Sequence, residues 1–192
     1  ELTYNGEDQS VLQFITNYGT ENYGNRIVIA IDGTVGNVVK TVKGNEEEYT
    51  VYITPATNYK WEVNAGDKHK EDETFLFTVK VLRHGLTVTW TQESLSSVYG
   101  SAPAPAYTLD KFGTDAVSIN IGYKDKDKNT IASLGANSAA GEYFVYATGL
   151  KGDAQNNYEL KVNPDTKYTI KKQTIAKPLA TGNYQETFGT TE

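Results

Sequence analysis

Four stretches of this sequence alternate apolar and polar side chains with a period of two, and that habit restricts the chain to β structure. Residues 26–32 set Ile27, Ile29 and Ile31 against Val28 and Ala30, and residues 74–82 set Phe75, Phe77, Val79 and Val81 against Leu76, Thr78 and Lys80. Leu86, Val88 and Trp90 alternate with Thr87, Thr89 and Thr91, and Val117, Ile119, Ile121 and Tyr123 repeat the pattern. Residues two apart share a face of a strand, so each stretch can bury one side and wet the other. Gly, Asn and Thr interrupt every window long enough for an amphipathic helix. The 14 tyrosines agree with this, since a ring that packs and a hydroxyl that reaches water suit a strand.

The chain also resembles itself. Glu48-Tyr49-Thr50-Val51-Tyr52-Ile53 matches Glu142-Tyr143-Phe144-Val145-Tyr146-Ala147, Asn58-Tyr59 matches Asn157-Tyr158, and Phe77-Thr78-Val79-Lys80 matches Tyr168-Thr169-Ile170-Lys171. Ordered matches at nearly constant separation are the mark of a repeat whose loops differ in length. The 192 residues therefore divide into two units of about 90, each large enough for a sandwich core. The expected fold is all-β, two tandem immunoglobulin-like β-sandwich modules at 1–81 and 86–172. Residues 82–85 form a connector too short to bend far. Ile175-Ala176-Lys177-Pro178 reads as a further connector, and Thr181 to Phe188 echoes Leu2 to Gln9, so 173–192 is expected to open a third repeat of a longer array.

Local signals fill in the second unit. Ala140-Gly141 reads as a turn in which Gly takes positive φ before the strand at Glu142. Residues 148–157 read as a loop, and Asn163-Pro164-Asp165 closes a hairpin between 158–162 and 167–172. Tyr158 is expected to anchor its hydroxyl on nearby backbone, as in the tyrosine corner of sandwiches.

Composition narrows the function. Hydrophobic residues at 38% and charged residues at 22% fit a folded chain, and a net charge of -6 opposes binding to nucleic acid. No run approaches the roughly 20 apolar residues of a membrane span, so no membrane insertion is expected within this segment. The absence of Cys removes disulfides, thiol catalysis and Cys-ligated zinc.

Leu2-Thr3-Tyr4-Asn5-Gly6-Glu7-Asp8-Gln9-Ser10 resembles the opening of a repeat found in large surface proteins of gut Firmicutes and Bacteroidetes. Val98-Tyr99-Gly100-Ser101-Ala102-Pro103, with Ala140-Gly141-Glu142-Tyr143, Asn157-Tyr158 and Tyr168-Thr169-Ile170, resembles the MBG domain of the YGX type. The first unit departs from that pattern, with Glu46-Glu47-Glu48 where Ala-Gly would precede the tyrosine. The resemblance implies Ig-like or related β modules in adhesin-like proteins and brings no catalytic residues with it.

Several side chains are candidates for chemistry. Asp125, Asp127 and Asn129 have the spacing of the first ligands of a calcium loop, but Thr130 stands where its Gly belongs and Ala136 where its bidentate acid belongs. A solvated hairpin tip is the expectation there. The acidic runs at 46–48 and 68–73 single out no carboxylate pair for glycosidase chemistry. His69 falls in a charged loop and His84 in the connector, without a nucleophile nearby in sequence. Trp90 belongs on a core face, whereas Trp61 is the candidate for an exposed sugar-stacking ring. A Lys–Asn isopeptide would need a buried triad that the sequence does not locate.

These readings lead to a non-catalytic segment of an extracellular, bacterial cell-surface protein, without cofactor, acting as stalk or spacer and in adhesion. Its expected partners are neighbouring repeats of the same chain and a glycan or host surface protein. The alternatives are a carbohydrate- or host-glycoprotein-binding module and an ancillary module of a secreted glycan-degrading enzyme.

Overall fold

The structure is a computed structural model that describes residues 1–15, 23–63, 65–161 and 165–177. The described residues form strands joined by loops and three short 3-10 turns, with no α-helix among them, so the chain is all-β.

The first half contributes β1 (Leu2–Thr3), β2 (Gln9–Ser10), β3 (Ile27–Ile31), β4 (Thr34–Val35), β5 (Val38–Val39), β6 (Glu48–Pro55) and β7 (Phe75–Leu82). Five of these make one sheet in the order β1-β7-β6-β3-β4, and β2 pairs with β5 separately. The neighbours are antiparallel except at one edge, where β1 runs parallel to β7 with Leu2 opposite Val81. The second half contributes β8 (His84–Leu86), β9 (Val88–Trp90), β10 (Ser96–Val98), β11 (Tyr107–Leu109), β12 (Ser118–Lys124), β13 (Thr130–Ile131), β14 (Gly141–Lys151), β15 (Tyr158–Leu160) and β16 (Thr166–Lys171). Its sheet, β10-β16-β14-β12-β13, has the same order and strand directions as the first, including the parallel edge. Two smaller pairs complete it, β9 antiparallel to β11 and β8 parallel to β15.

The alternation seen in the sequence is spent as expected. Val79 and Val81 are buried while Leu76 and Thr78 point outward, and Leu86, Val88 and Trp90 are buried between exposed threonines. Two apolar clusters result. One gathers Val11, Ile31, Val39, Val51, Val79 and Val81, and also takes Leu86, Val117 and Tyr158 from the second half. The other holds Val88, Trp90, Leu95, Ile119, Val145, Tyr168 and Ile170. Leu109 and Leu150 pack against both, so apolar contact is continuous across the middle of the chain.

Register corrects one of the internal matches. Tyr49 lies opposite Val79 in the first sheet and Tyr143 opposite Tyr168 in the second, so the counterpart of Tyr168 is Val79 rather than Phe77. A slip of two keeps every side chain on its face, which is why the alternating pattern alone could not detect it.

Four local expectations also change. β15 pairs with β8, not β16, because both sides of β16 are already taken by β14 and β10. Residues 82–85 are no connector: Leu82 ends β7, His84 begins β8, and Arg83 alone lies between them. β14 runs on to Lys151 through a register shift, consuming the first part of the expected 148–157 loop. Gly141 is a strand residue paired with Ile170, and its φ is not positive. Asn163, Pro164 and the echo at 181–188 lie outside the described residues.

Candidate functional site

The densest set of specific contacts lies where the two halves meet. Tyr4 leaves β1 with its N–H bonded to the Leu82 carbonyl at 2.9 Å, which fixes it at the end of β7. Its ring is 2% exposed and its hydroxyl donates to Asp115 Oδ2 at 2.6 Å. Tyr158, the first residue of β15, donates its hydroxyl to the same oxygen at 2.6 Å and accepts from the Phe112 N–H at 3.0 Å. The expected backbone anchor of Tyr158 is therefore present, with an added carboxylate.

Aromatic edges fill the space around this pair. Tyr4 meets Tyr158 edge-on at 5.3 Å and Phe112 at 5.9 Å, and the His84 ring lies 4.5 Å from Phe112. Gly6 passes so close that a Cβ there would sit 2.6 Å from Phe112 Cβ, and its φ of +80° is one that only Gly adopts freely. Around the rim, Asn157 Oδ1 accepts from the Val42 N–H at 2.9 Å. Glu46 accepts from the Arg83 N–H at 3.1 Å, and the Arg83 guanidinium donates to the Asn156 carbonyl and to Asn45 Oδ1.

Electrostatics suit this geometry to holding rather than to reacting. Burial works against the charge of Asp115, but the two tyrosine hydroxyls, with Lys40 and Lys111 nearby, outweigh it and hold the carboxyl below its usual range. Burial and the bond to Asp115 push the Tyr4 hydroxyl up to about 12, and the same causes raise Tyr158. Both hydroxyls thus stay protonated and donate throughout the neutral range. An ionised acceptor receiving two donors is a strong, directional fastening.

The residues singled out from sequence are scattered away from this junction, with one exception. Trp61 is half-buried in the loop between β6 and β7; its Nε1 donates to the Glu73 carbonyl at 2.7 Å and its ring meets Phe75 edge-on at 5.4 Å. Asp125 caps the β12–β13 turn by accepting from the N–H groups of Asp127 and Asn129, both at 2.9 Å, and from the Asn129 amide. Asp127 pairs with Lys126 instead of facing Asp125. Among the described residues no three His, Cys, Asp or Glu converge on one point. His69 bonds Glu73 at 2.8 Å in the charged loop. The exception is His84, which belongs to the junction as a strand residue. Asp115, Phe112 and Arg83 carried no sequence signal; Tyr158 did, through the Asn157-Tyr158 match.

Beside the junction lies a shallow cleft of about 300 Å³ lined by Arg83, Gln155, Asn156, Glu159 and the apolar side chains of Leu150 and Leu160. No helix among the described residues is long and apolar enough to cross a membrane. The sequence matches none of the known protein-family models, and no curated protein is detectably similar to it.

Proposed function

We propose that this chain is a non-catalytic spacer segment of an extracellular, bacterial cell-surface protein of adhesin type, in which tandem β modules hold a binding domain away from the envelope. The observation that carries the reading is the junction. A spacer transmits position only if its joints resist bending, and here Tyr4, Asp115 and Tyr158 are fastened across the joint inside a continuous apolar cluster. A joint meant to swing would instead be wet, sparse and long. Small-angle scattering on the full chain and on Asp115→Ala tests this. The wild type should scatter as one rigid shape and the variant as a broader ensemble. Equal breadth in both would overturn the reading.

A second reading, binding of a carbohydrate or host glycoprotein, draws on the cleft. The described partners of the Arg83 guanidinium are two neutral oxygens, and the amides of Gln155 and Asn156 and the Glu159 carboxylate border the same hollow. Such a mix of charge and amides suits sugar hydroxyls. A glycan and mucin array probed with wild type, Arg83→Gln and Trp61→Ala decides between the sites. Saturable binding lost in the first variant would place it at the cleft, loss in the second would place it at Trp61, and no binding would leave the spacer reading alone.

A further inference from the structure

The two free ends of this chain look like the two halves of the joint in its middle. At that joint β7 ends at Leu82, and after Arg83 the chain becomes β8, which lies parallel to β15 with His84, Gly85 and Leu86 opposite Tyr158, Glu159 and Leu160. Leu86, the last of these, is fully buried.

At the C-terminal end the same surroundings recur without a partner. Thr3 pairs with Leu82 and Val98 with Lys171; Tyr4 N–H bonds the Leu82 carbonyl at 2.9 Å and Tyr99 N–H the Lys171 carbonyl at 2.8 Å. Lys171 therefore corresponds to Leu82, and counting on, Gln173, Thr174 and Ile175 correspond to His84, Gly85 and Leu86. Yet Ile175 is 83% exposed, residues 172–177 join no strand, and Val98 and Tyr99 beside them are each 42% exposed. An apolar side chain at the position of a fully buried leucine is a strand side chain without its socket.

The socket recurs in the first half. Asn58-Tyr59 matches Asn157-Tyr158, which makes Tyr59, Lys60, Trp61 and Glu62 the counterparts of Tyr158, Glu159, Leu160 and Lys161. Lys161 N–H bonds the Leu86 carbonyl at 3.0 Å, toward β8. N–H groups alternate in direction along a strand, so that of Leu160 points away. Trp61 follows suit, its N–H bonding the Glu71 carbonyl at 2.8 Å, and the N–H groups of Lys60 and Glu62 are thereby turned to the side where β8 would run. No described residue accepts from them, and Tyr59 is 47% exposed where Tyr158 is buried.

We propose that residues 173–175 of one copy add as a parallel strand to residues 59–61 of a second copy, setting Ile175 in the place of Leu86 and Tyr99 against Tyr59. This rests on the tandem-module reading and deepens it by naming the partner as a second copy joined head to tail. Strand addition of this kind draws affinity from main-chain bonds and specificity from the pocket for one side chain. The contact is heterologous, so successive copies lengthen into an open series rather than closing into a dimer.

The chain has no Cys, which gives a clean trap. Thr174 and Lys60 would face each other, as Gly85 faces Glu159. The full chain carrying both Thr174→Cys and Lys60→Cys should give a ladder of disulfide-linked dimers, trimers and higher species under mild oxidation. A mixture of the two single variants should add only one hetero-linked dimer. Ile175→Asp on the double variant should suppress the ladder, and in the Cys-free chain it should abolish the rise of sedimentation mass with concentration. A monomer at every concentration without a ladder overturns the proposal, as does a ladder indifferent to Ile175→Asp. The scattering result at Asp115 is independent, so a rigid middle joint with no ladder would leave the spacer reading standing and remove only the head-to-tail contact.

Discussion

Replacing Asp115 by Ala isolates the fastening at the joint. The carboxylate receives two hydroxyl donors at 2.6 Å on one oxygen. Hydrogen bonds to an ionised group contribute about 1.5–3 kcal/mol each, so their joint loss would approach about 3–6 kcal/mol. Tyr4 and Tyr158 lie edge to edge with centroids 5.3 Å apart, so one hydroxyl can turn to the other and recover about 1 kcal/mol. A net loss of about 3 kcal/mol is expected, which for a chain of this size lowers Tm by about 6–12 °C. Thermal unfolding followed by circular dichroism measures it, with Asp127→Ala in the exposed turn as control. The pH dependence adds a second constraint. Asp115 is depressed in the folded state, so its contribution is complete above the ordinary aspartate range and is lost as pH falls through the lowered folded value. Tyr4 is raised to about 12, so its contribution is complete below the ordinary tyrosine value of about 10 and is lost as pH rises through the folded value. The gap in Tm between wild type and variant should therefore be widest between about pH 5 and 9 and narrow on both sides. A shift under about 2 °C at neutral pH, or a gap that does not change from pH 3 to 7, would refute the assignment of a shared ionised acceptor.

Three further outcomes follow from single sites. Gly6→Ala should cost about 2–3 kcal/mol in urea unfolding, because the added methyl meets Phe112 at 2.6 Å and φ is +80°; a loss below about 0.5 kcal/mol would mean that the two loops do not touch. Tyr168→Phe should leave Tm unchanged or raise it, since the Tyr168 hydroxyl is buried without a partner and such a group costs about 1–3 kcal/mol; a fall of several degrees would show a bond that the coordinates do not contain. Asp125→Ala should cost about 1 kcal/mol through the lost turn bonds, and millimolar calcium should shift Tm in neither protein; a calcium-dependent rise confined to the wild type would reinstate the loop as a metal site.

The all-β class and the buried faces were legible because period-two alternation is a local property: Ile29, Val79, Trp90 and Ile119 declare their side of a strand to any reader. Register was not, since Phe77 and Val79 lie on the same face and only the partner strand tells them apart. The joint was still less legible. Tyr4 and Asp115 are 111 residues apart, and nothing around Phe112-Gly113-Thr114-Asp115 distinguishes that aspartate from one in any solvated turn. Its role exists only once β1 and β15 have been brought together. The candidates with recognisable spacing, Asp125, Asp127 and Asn129, were visible for the opposite reason. Turn-capping aspartates and the first ligands of a calcium loop use the same short-range geometry, so sequence offers both and the hydrogen bonds of Asp125 show the turn.

The two sheets share strand order and direction but not the chemistry of their outer faces, and the difference follows from single side chains in matching places. In the first sheet Tyr52 lies in register between Ala30 and Leu76, with Val35 next in the row, and Leu76 and Val35 are 64% and 77% exposed. In the second, Tyr146 stands opposite Gly122, and Asp165 falls where Leu76 does, one residue before the pair Thr166 and Val145. Lys124 then closes the row, its ammonium 4.6 Å from the Tyr146 ring and 2.9 Å from both oxygens of Asp165. One substitution pattern leaves an apolar stripe open to water; the other covers a similar ring with an ion pair. Neither touches the inner face, where Val51 and Val145 fill corresponding core positions. Holding the modules in line needs only the inner faces and the joint, which leaves the outer faces free to differ, and they differ where a copy meets its surroundings rather than where it meets its neighbour.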